Sequence, residues 1–182
     1  MVALPQLPQP PEPQLKGHPK IATHLKHGGE SLSRGRLEEA LYEYELARQA
    51  EASLKNPDVK AHILWCIGAA LYMLERSEEA LTYFAKALEL VPHDWQLHSA
   101  RGLVLNSLGR LQEAVDAFDQ SLALHHNETT VEARRAVLDA LLRRLARRGV
   151  ISGSGPKPKG LDPLVKLTPG PDVSDYVIED RR

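Results

Sequence analysis

The sequence predicts an all-α chain, an α-solenoid of three helical hairpins followed by a C-terminal capping helix, and three observations carry that prediction. Of the 13 prolines, 11 lie before residue 21 or after residue 150. Proline cannot donate to a helix ladder and clashes with the preceding turn, so the helical body is bounded at about 21 and 150. Within it, Leu64, Ile67, Gly68, Leu71 and Leu74 lie three and four apart, as do Ala80, Leu81, Phe84, Ala87 and Leu88. The two apolar stripes, broken at Glu75-Arg76-Ser77, describe a helical hairpin. Finally, a shift of 34 residues carries Gly68 to Gly102, Leu71 to Leu105, Ala80 to Ala114, Phe84 to Phe118 and Leu88 to Leu122, which marks one unit used more than once.

The elements follow in order. Residues 1–20 form a Pro-rich, disordered tail in which "LPQLPQPPEPQ" has overlapping PxxP spacings; such a stretch is extended, and serves as a spacer or as a ligand for an aromatic groove. Unit one, about 21–57, places Gly28, Ala40, Tyr44 and Ala47 in the roles of Gly68, Ala80, Phe84 and Ala87, at a shift of 40. The six extra residues fall in "RQAEASLKNPDVK", so the second helix of this unit is expected to run longer by a turn or more. Unit two, about 58–94, is started by Asn56-Pro57, and its second helix by Ser77 as a hydroxyl cap with Glu78 and Glu79 near the positive end of the dipole. Unit three, about 95–128, starts at Asp94. Thr129-Thr130-Val131-Glu132 reads as a capping box that opens a basic capping helix, 129–150, with Val137, Leu138, Leu141, Leu142 and Leu145 as its apolar face and Gly149 as its stop. Residues 151–182 form a second Pro/Gly-rich, disordered tail, whose "DVSDYVIEDRR" has a short β-prone core able to add to a partner's sheet edge or fold back on the groove.

The repeated unit resembles the tetratricopeptide repeat: a 34-residue helix-turn-helix with glycine in its first helix and alanine, an aromatic, alanine and proline in and after its second. Unit two holds Gly68, Leu71, Ala80, Phe84, Ala87 and Pro92; unit three has Ser121 for the later alanine and His126 where proline would stand; unit one has His24 and His27 where the family prefers large apolar residues. The resemblance implies that Gly68 and Ala80 sit where the helices of a hairpin cross, that Phe84 fills the space between successive hairpins, and that each hairpin leaves an apolar face for the next to cover. It also implies that the first helices line a concave groove whose outward positions touch a ligand. Here those are Leu25, Gly29, Leu32 and Ser33 in unit one, His62, Trp65, Ala69, Tyr72 and Met73 in unit two, and Gln96, Ser99, Leu103, Asn106 and Ser107 in unit three. Trp65, Tyr72 and Met73 form a stripe about 11 Å long that the hairpin core is not expected to need.

Several function classes are disfavoured. The chain of 182 residues has a formal charge of -1 and 42% hydrophobic residues, which suits one domain with extra sequence. It has no apolar run near the ~20 residues of a membrane span, and its start lacks the charged and apolar regions of a secretory signal, so a cytoplasmic location is expected. Cys66 alone cannot form an internal disulfide and reads as a packed small side chain. No nucleophile, base and orienting residue cluster, the histidines have no partners at metal-ligand spacing, and "GSGPKPKG" lacks the ending of a phosphate loop. No enzyme activity, metal or cofactor is therefore expected.

What remains is recognition of a protein or peptide, with the chain as an adaptor. Relatives in the family that grip the carboxylate tail of chaperones use lysine, arginine and asparagine on the groove, whereas Leu25, Gly29, Gln96 and Ala100 occupy the matching positions here; a segment with hydrophobic anchors fits better. A second candidate site is Arg134, Arg135, Arg143, Arg144, Arg147 and Arg148. Residues 21–128 carry 10 Lys and Arg against 16 Asp and Glu, whereas residues 129–150 carry six Arg against Glu132 and Asp139. The arginines are a solvated face of the cap, or they meet an acidic partner, an anionic surface, or the acidic repeats of another copy in a self-assembling scaffold, dimeric or head to tail. Nucleic acid is disfavoured because no aromatics interleave with the arginines.

Overall fold

The computed structural model describes residues 7–9, 13, 15, 18–51 and 56–148. Seven helices follow one another, α1 (Pro19–Ser33), α2 (Leu37–Glu51), α3 (Pro57–Met73), α4 (Ser77–Leu90), α5 (Trp95–Ser107), α6 (Leu111–Leu124) and α7 (Glu128–Arg147), and there is no strand among the described residues. Consecutive helices pair as α1/α2, α3/α4 and α5/α6, and successive hairpins meet through α2/α3 and α4/α5. Helix α2 runs to Glu51, and residues 52–55, where the rest of the expected extra turn falls, lie outside the described residues. Gly149 and the segment 151–182, with both motifs expected in it, also lie outside them.

The glycine at the centre of each first helix has a specific partner. A Cβ on Gly68 would stand 2.7 Å from Phe84 Cε1, and one on Gly102 would stand 2.7 Å from Phe118 Cε1; Gly28 faces the Tyr44 ring in the same way. Each aromatic, buried to 3% exposure or less, thus presses on the glycine of its own hairpin. The ring lies against a backbone that only a hydrogen leaves open. Ala40, Ala80 and Ala114 are fully buried as the residues that let the helices approach.

The turns between paired helices repeat in detail. Arg36 N–H donates to Ser31 O at 2.9 Å, Arg76 to Leu71 at 2.9 Å and Arg110 to Leu105 at 3.0 Å, each reaching past a residue with positive φ: Gly35 at 73°, Glu75 at 61° and Gly109 at 70°. This is the left-handed stop that satisfies the last carbonyls of a helix. The same arginine then precedes the next helix and pairs with the glutamate three residues on, Arg36 with Glu39 at 2.8 Å, Arg76 with Glu79 at 2.7 Å and Arg110 with Glu113 at 2.6 Å. Arg76, not Ser77, is therefore the residue before α4, and no side chain caps that helix. Asn56 and Asp94 do cap as read: Asn56 Oδ1 accepts from Asp58 and Val59 N–H, and Asp94 Oδ1 from Gln96 and Leu97 N–H.

Departures from the repeat are locally compensated. Ser121, where alanine was expected, is fully buried and donates its hydroxyl to Trp95 O at 2.8 Å. His24 is half-buried against Glu43, with Nδ1 to Oε2 at 2.8 Å, and His27 Nδ1 lies 3.9 Å from the same carboxylate. The last helix begins two residues earlier than a box capped by Thr129 implied, at Glu128. Asn127 Oδ1 accepts from Thr130 N–H, while Thr130 is buried with its hydroxyl 3.2 Å from Ser99 Oγ. Asn127 is thus the residue that caps, and Thr129, the expected cap, lies inside the first turn of α7.

The chain divides into two units, residues 1–138 and 139–182. In the first, Ala133, Val137 and Leu138 of α7 cover Leu105, Val115 and Phe118 of the third hairpin, and Arg134 forms an ion pair with Asp119. The described part of the second is the end of α7, residues 139–148, where Leu142 is exposed and Leu141 and Leu145 are half-buried.

A candidate binding face on the first two hairpins

Helix α3 is the most enclosed element. Eleven of its residues are buried, including Trp65, Cys66, Ile67, Gly68, Ala69, Ala70, Leu71 and Tyr72, so it is apolar around its whole circumference and behaves as a core helix. This corrects the expectation for the aromatic stripe. Trp65 is 7% exposed and Tyr72 1%, and both belong to the core cluster that joins the first two hairpins to α5. Ala69 is buried with them, and Ser99 is buried in α5, engaged with Thr130. Only Met73 of the stripe stands exposed, at 39%. The physical reason is position in the array: α2 packs against α3 and α5 against α4, and Trp65 and Tyr72 share one core cluster with residues of α1, α2, α4 and α5. Burial also raises the Tyr72 phenol above its ordinary value.

What the fold does leave open is a cavity of about 610 Å³ on the face shared by α1 and α3. Helix α1 supplies Ala22, Leu25, Lys26, Gly29, Glu30 and Ser33, α2 supplies Tyr44, and α3 supplies His62, Trp65 and Cys66. Leu25, Gly29, Ser33, His62 and Trp65 are thereby brought together as the repeat pattern implied. Ala69, Tyr72, Met73, Gln96, Ser99, Leu103 and Asn106 do not line this cavity. Gly29 matters for its opening, because a Cβ there would meet nothing within 4 Å. At the opposite wall His62 stacks on Trp65, ring centroids 6.5 Å apart. Trp65 keeps its indole N–H buried with no acceptor among the described residues. Desolvation, then the neighbouring Cys66, drives the Tyr44 phenol well above its usual range, so it stays protonated throughout the physiological range.

The cavity has a third wall that the periodicity did not reveal. Gln9, Pro13 and Leu15 line it, and Leu7 and Leu15 are partly buried against the core cluster. Read as part of a Pro-rich spacer, these residues were missed; the signal available was the leucines interspersed among the prolines of "LPQLPQPPEPQL".

The arginines behave differently from one another. Arg134 is largely buried in its pair with Asp119, a structural role that removes it from the expected patch, whereas Arg135 is exposed. In the second unit Arg143, Arg144, Arg147 and Arg148, with Ala140, surround a shallow hollow of about 450 Å³. Among the described residues no group of three or more His, Cys, Asp and Glu could hold a metal ion, and no helix is long and apolar enough to cross a membrane.

Comparison with known proteins agrees with this architecture. Residues 67–125 match the family model described as tetratricopeptide repeat. Among solved structures, the first such domain of Spaghetti (RPAP3), bound to the HSP90 peptide SRMEEVD, is similar at 22% identity, covering 68% of this chain and 94% of that one with a TM-score of 0.61. The Arabidopsis OM64 domain is 20% identical, covering 67% and 97%, with a TM-score of 0.60. The second domain of human RPAP3, in complex with the HSP70 peptide SGPTIEEVD, is 21% identical, covering 66% and 97%, with a TM-score of 0.59. No curated protein matches the chain in sequence.

Proposed function

We propose that this chain, a member of the tetratricopeptide repeat family through residues 67–125, is a non-enzymatic cytoplasmic adaptor that holds an extended protein or peptide segment on the α1/α3 face. The observation that carries this reading is the cavity itself: an opening of about 610 Å³ in which Leu25, Trp65 and Cys66 supply apolar surface and His62, Lys26 and Glu30 a polar border. A site of that kind suits apolar anchors with a few oriented polar contacts. Two similar domains carry peptides that end in Glu-Glu-Val-Asp. Leu25 and Gly29 stand here where relatives that grip chaperone tails place lysine and asparagine, so an apolar segment is favoured over an acidic tail as the ligand.

The test uses Gly29→Trp in the full chain. Its side chain enters open space, so it blocks the face without disturbing the core, as Trp65→Ala or Tyr72→Ala would. Affinity capture should lose the specific partners of the wild type, while circular dichroism and the melting temperature stay within a few degrees. Retention of every specific partner by a folded Gly29→Trp protein refutes the reading.

A second reading, self-assembly, is favoured by the exposed arginines that end α7 and by the acidity of residues 21–128. Light scattering at low and high salt decides it. A monomer at low salt rules assembly out, and a dimer that Arg143→Glu/Arg147→Glu dissolves supports it.

A further inference from the structure

We propose that the chain's own N-terminal segment, Leu7 to Leu15, is a built-in competing ligand of the α1/α3 face, so that a partner binds by displacing it. The inference rests on the adaptor reading and says what the face prefers and how access to it is limited. Leu7 and Leu15 pack against the same core cluster as Trp65 and Leu25, and Gln9, Pro13 and Leu15 form a wall of the cavity whose other walls are α1 and α3. The segment is anchored close by, because Leu15 O accepts from His18 N–H at 3.0 Å immediately before α1 begins. Its chemistry suits the role. A proline-rich stretch is extended before it binds and loses little entropy on docking, and its leucines supply anchors at intervals.

It is also an imperfect ligand. Trp65 lines the cavity, is 7% exposed, and has no acceptor for its buried indole N–H among the described residues. A partner that offers a backbone carbonyl to that donor gains a hydrogen bond that none of the described residues makes. The ligand class is therefore an extended segment with leucine-like anchors and an acceptor at Trp65.

Tethering sets the magnitudes. A short linker holds a segment at an effective concentration of the order of millimolar. If the face is covered about nine-tenths of the time, the free peptide binds an uncovered face with a dissociation constant of about 0.1 mM or tighter, and covering weakens any partner about tenfold.

The test keeps the full chain and uses a fluorescein-labelled peptide of residues 4–17 as probe. The proteins carry Trp95→Phe, so that Trp65 is the sole tryptophan, with or without Leu7→Asp/Leu15→Asp. A third version replaces residues 7–15 by Gly and Ser at equal length, and all must show the wild-type helical spectrum and melt cooperatively. Both altered segments should raise acrylamide quenching of Trp65 at least threefold and should bind the peptide, which restores the protection; the parent should bind it about tenfold more weakly. Unchanged quenching in both altered proteins, or equal peptide binding by parent and altered proteins, overturns the proposal. So does weaker partner capture by the altered proteins, since the segment would then be part of the site. Failure of Gly29→Trp to lose partners while the peptide still binds would sink the adaptor reading alone. A peptide that does not bind, beside partners that Gly29→Trp does lose, would sink this inference alone.

Discussion

Substituting alanine at Gly68 puts the repeat packing to a quantitative test. A Cβ at that position would stand 2.7, 3.0 and 3.1 Å from Cε1, Cζ and Cδ1 of Phe84, where carbon atoms prefer about 3.5–4.0 Å. The ring would have to retreat by most of an ångström, yet Phe84 is fully buried, and such overpacking typically costs about 1–3 kcal/mol. Against this stands the gain from replacing glycine inside a helix, about 0.5–1 kcal/mol. The clash wins, and Gly68→Ala should lose about 0.5–2 kcal/mol. Gly29 supplies the internal control, also helical but with nothing within 4 Å of its Cβ, so Gly29→Ala should gain about 0.5–1 kcal/mol from the same propensity term. Urea unfolding followed at 222 nm reads both, with an unchanged slope needed to attribute the shift to stability. Phe84→Leu in the Gly68→Ala background should recover part of the loss, giving a coupling of about 1 kcal/mol between the two positions. A Gly68→Ala protein as stable as wild type, with the same slope, would refute the claim that the glycine is there to admit the ring.

Three further expectations concern the turns, the cap and acid. Glu75 occupies the left-handed turn position that Gly35 and Gly109 fill in the other hairpins, so Glu75→Gly should stabilise by about 0.5–1.5 kcal/mol, and Gly109→Ala should destabilise, in the same urea assay. Thr130→Val removes the partner of the buried Ser99 hydroxyl and should cost about 1–3 kcal/mol, whereas Ser99→Ala/Thr130→Val should cost less than Thr130→Val alone. Hydrogen bonds from Arg76 and Arg110 hold the Glu79 and Glu113 carboxyls below the ordinary value of 4.5. A depressed folded pKa gives stability that is full above 4.5 and lost as pH falls through the lowered values; Arg76→Met/Arg110→Met should therefore flatten the decline of melting temperature below about pH 4.5.

The hairpins were legible because close packing imposes identity at a few positions. Gly28, Gly68 and Gly102 must each face a ring, and a requirement that admits one residue type shows in a single sequence. The turn motif was equally readable in "GRLEEA", "ERSEEA" and "GRLQEA", but a hydroxyl at Ser77 drew attention from the repeated arginine, whose stem precedes the helix and whose guanidinium pairs with the glutamate three residues on. Helical periodicity failed at α3 for a reason built into stacked hairpins. A helix in the middle of an array has neighbours on two sides in addition to its own partner, so outward positions such as Trp65 and Tyr72 carry the same residue types whether they meet a ligand or the next hairpin. The first hairpin is different, because among the described residues Gln9, Pro13 and Leu15 line the face that α1 shares with α3, and Leu7 packs against the core cluster. Leu7 and Leu15 cover part of that core cluster, and a run of prolines and leucines tied just ahead of α1 suits this role. The composition that reads as a spacer and the composition of a resident ligand are therefore the same, and the unfilled face beside it is what separates them.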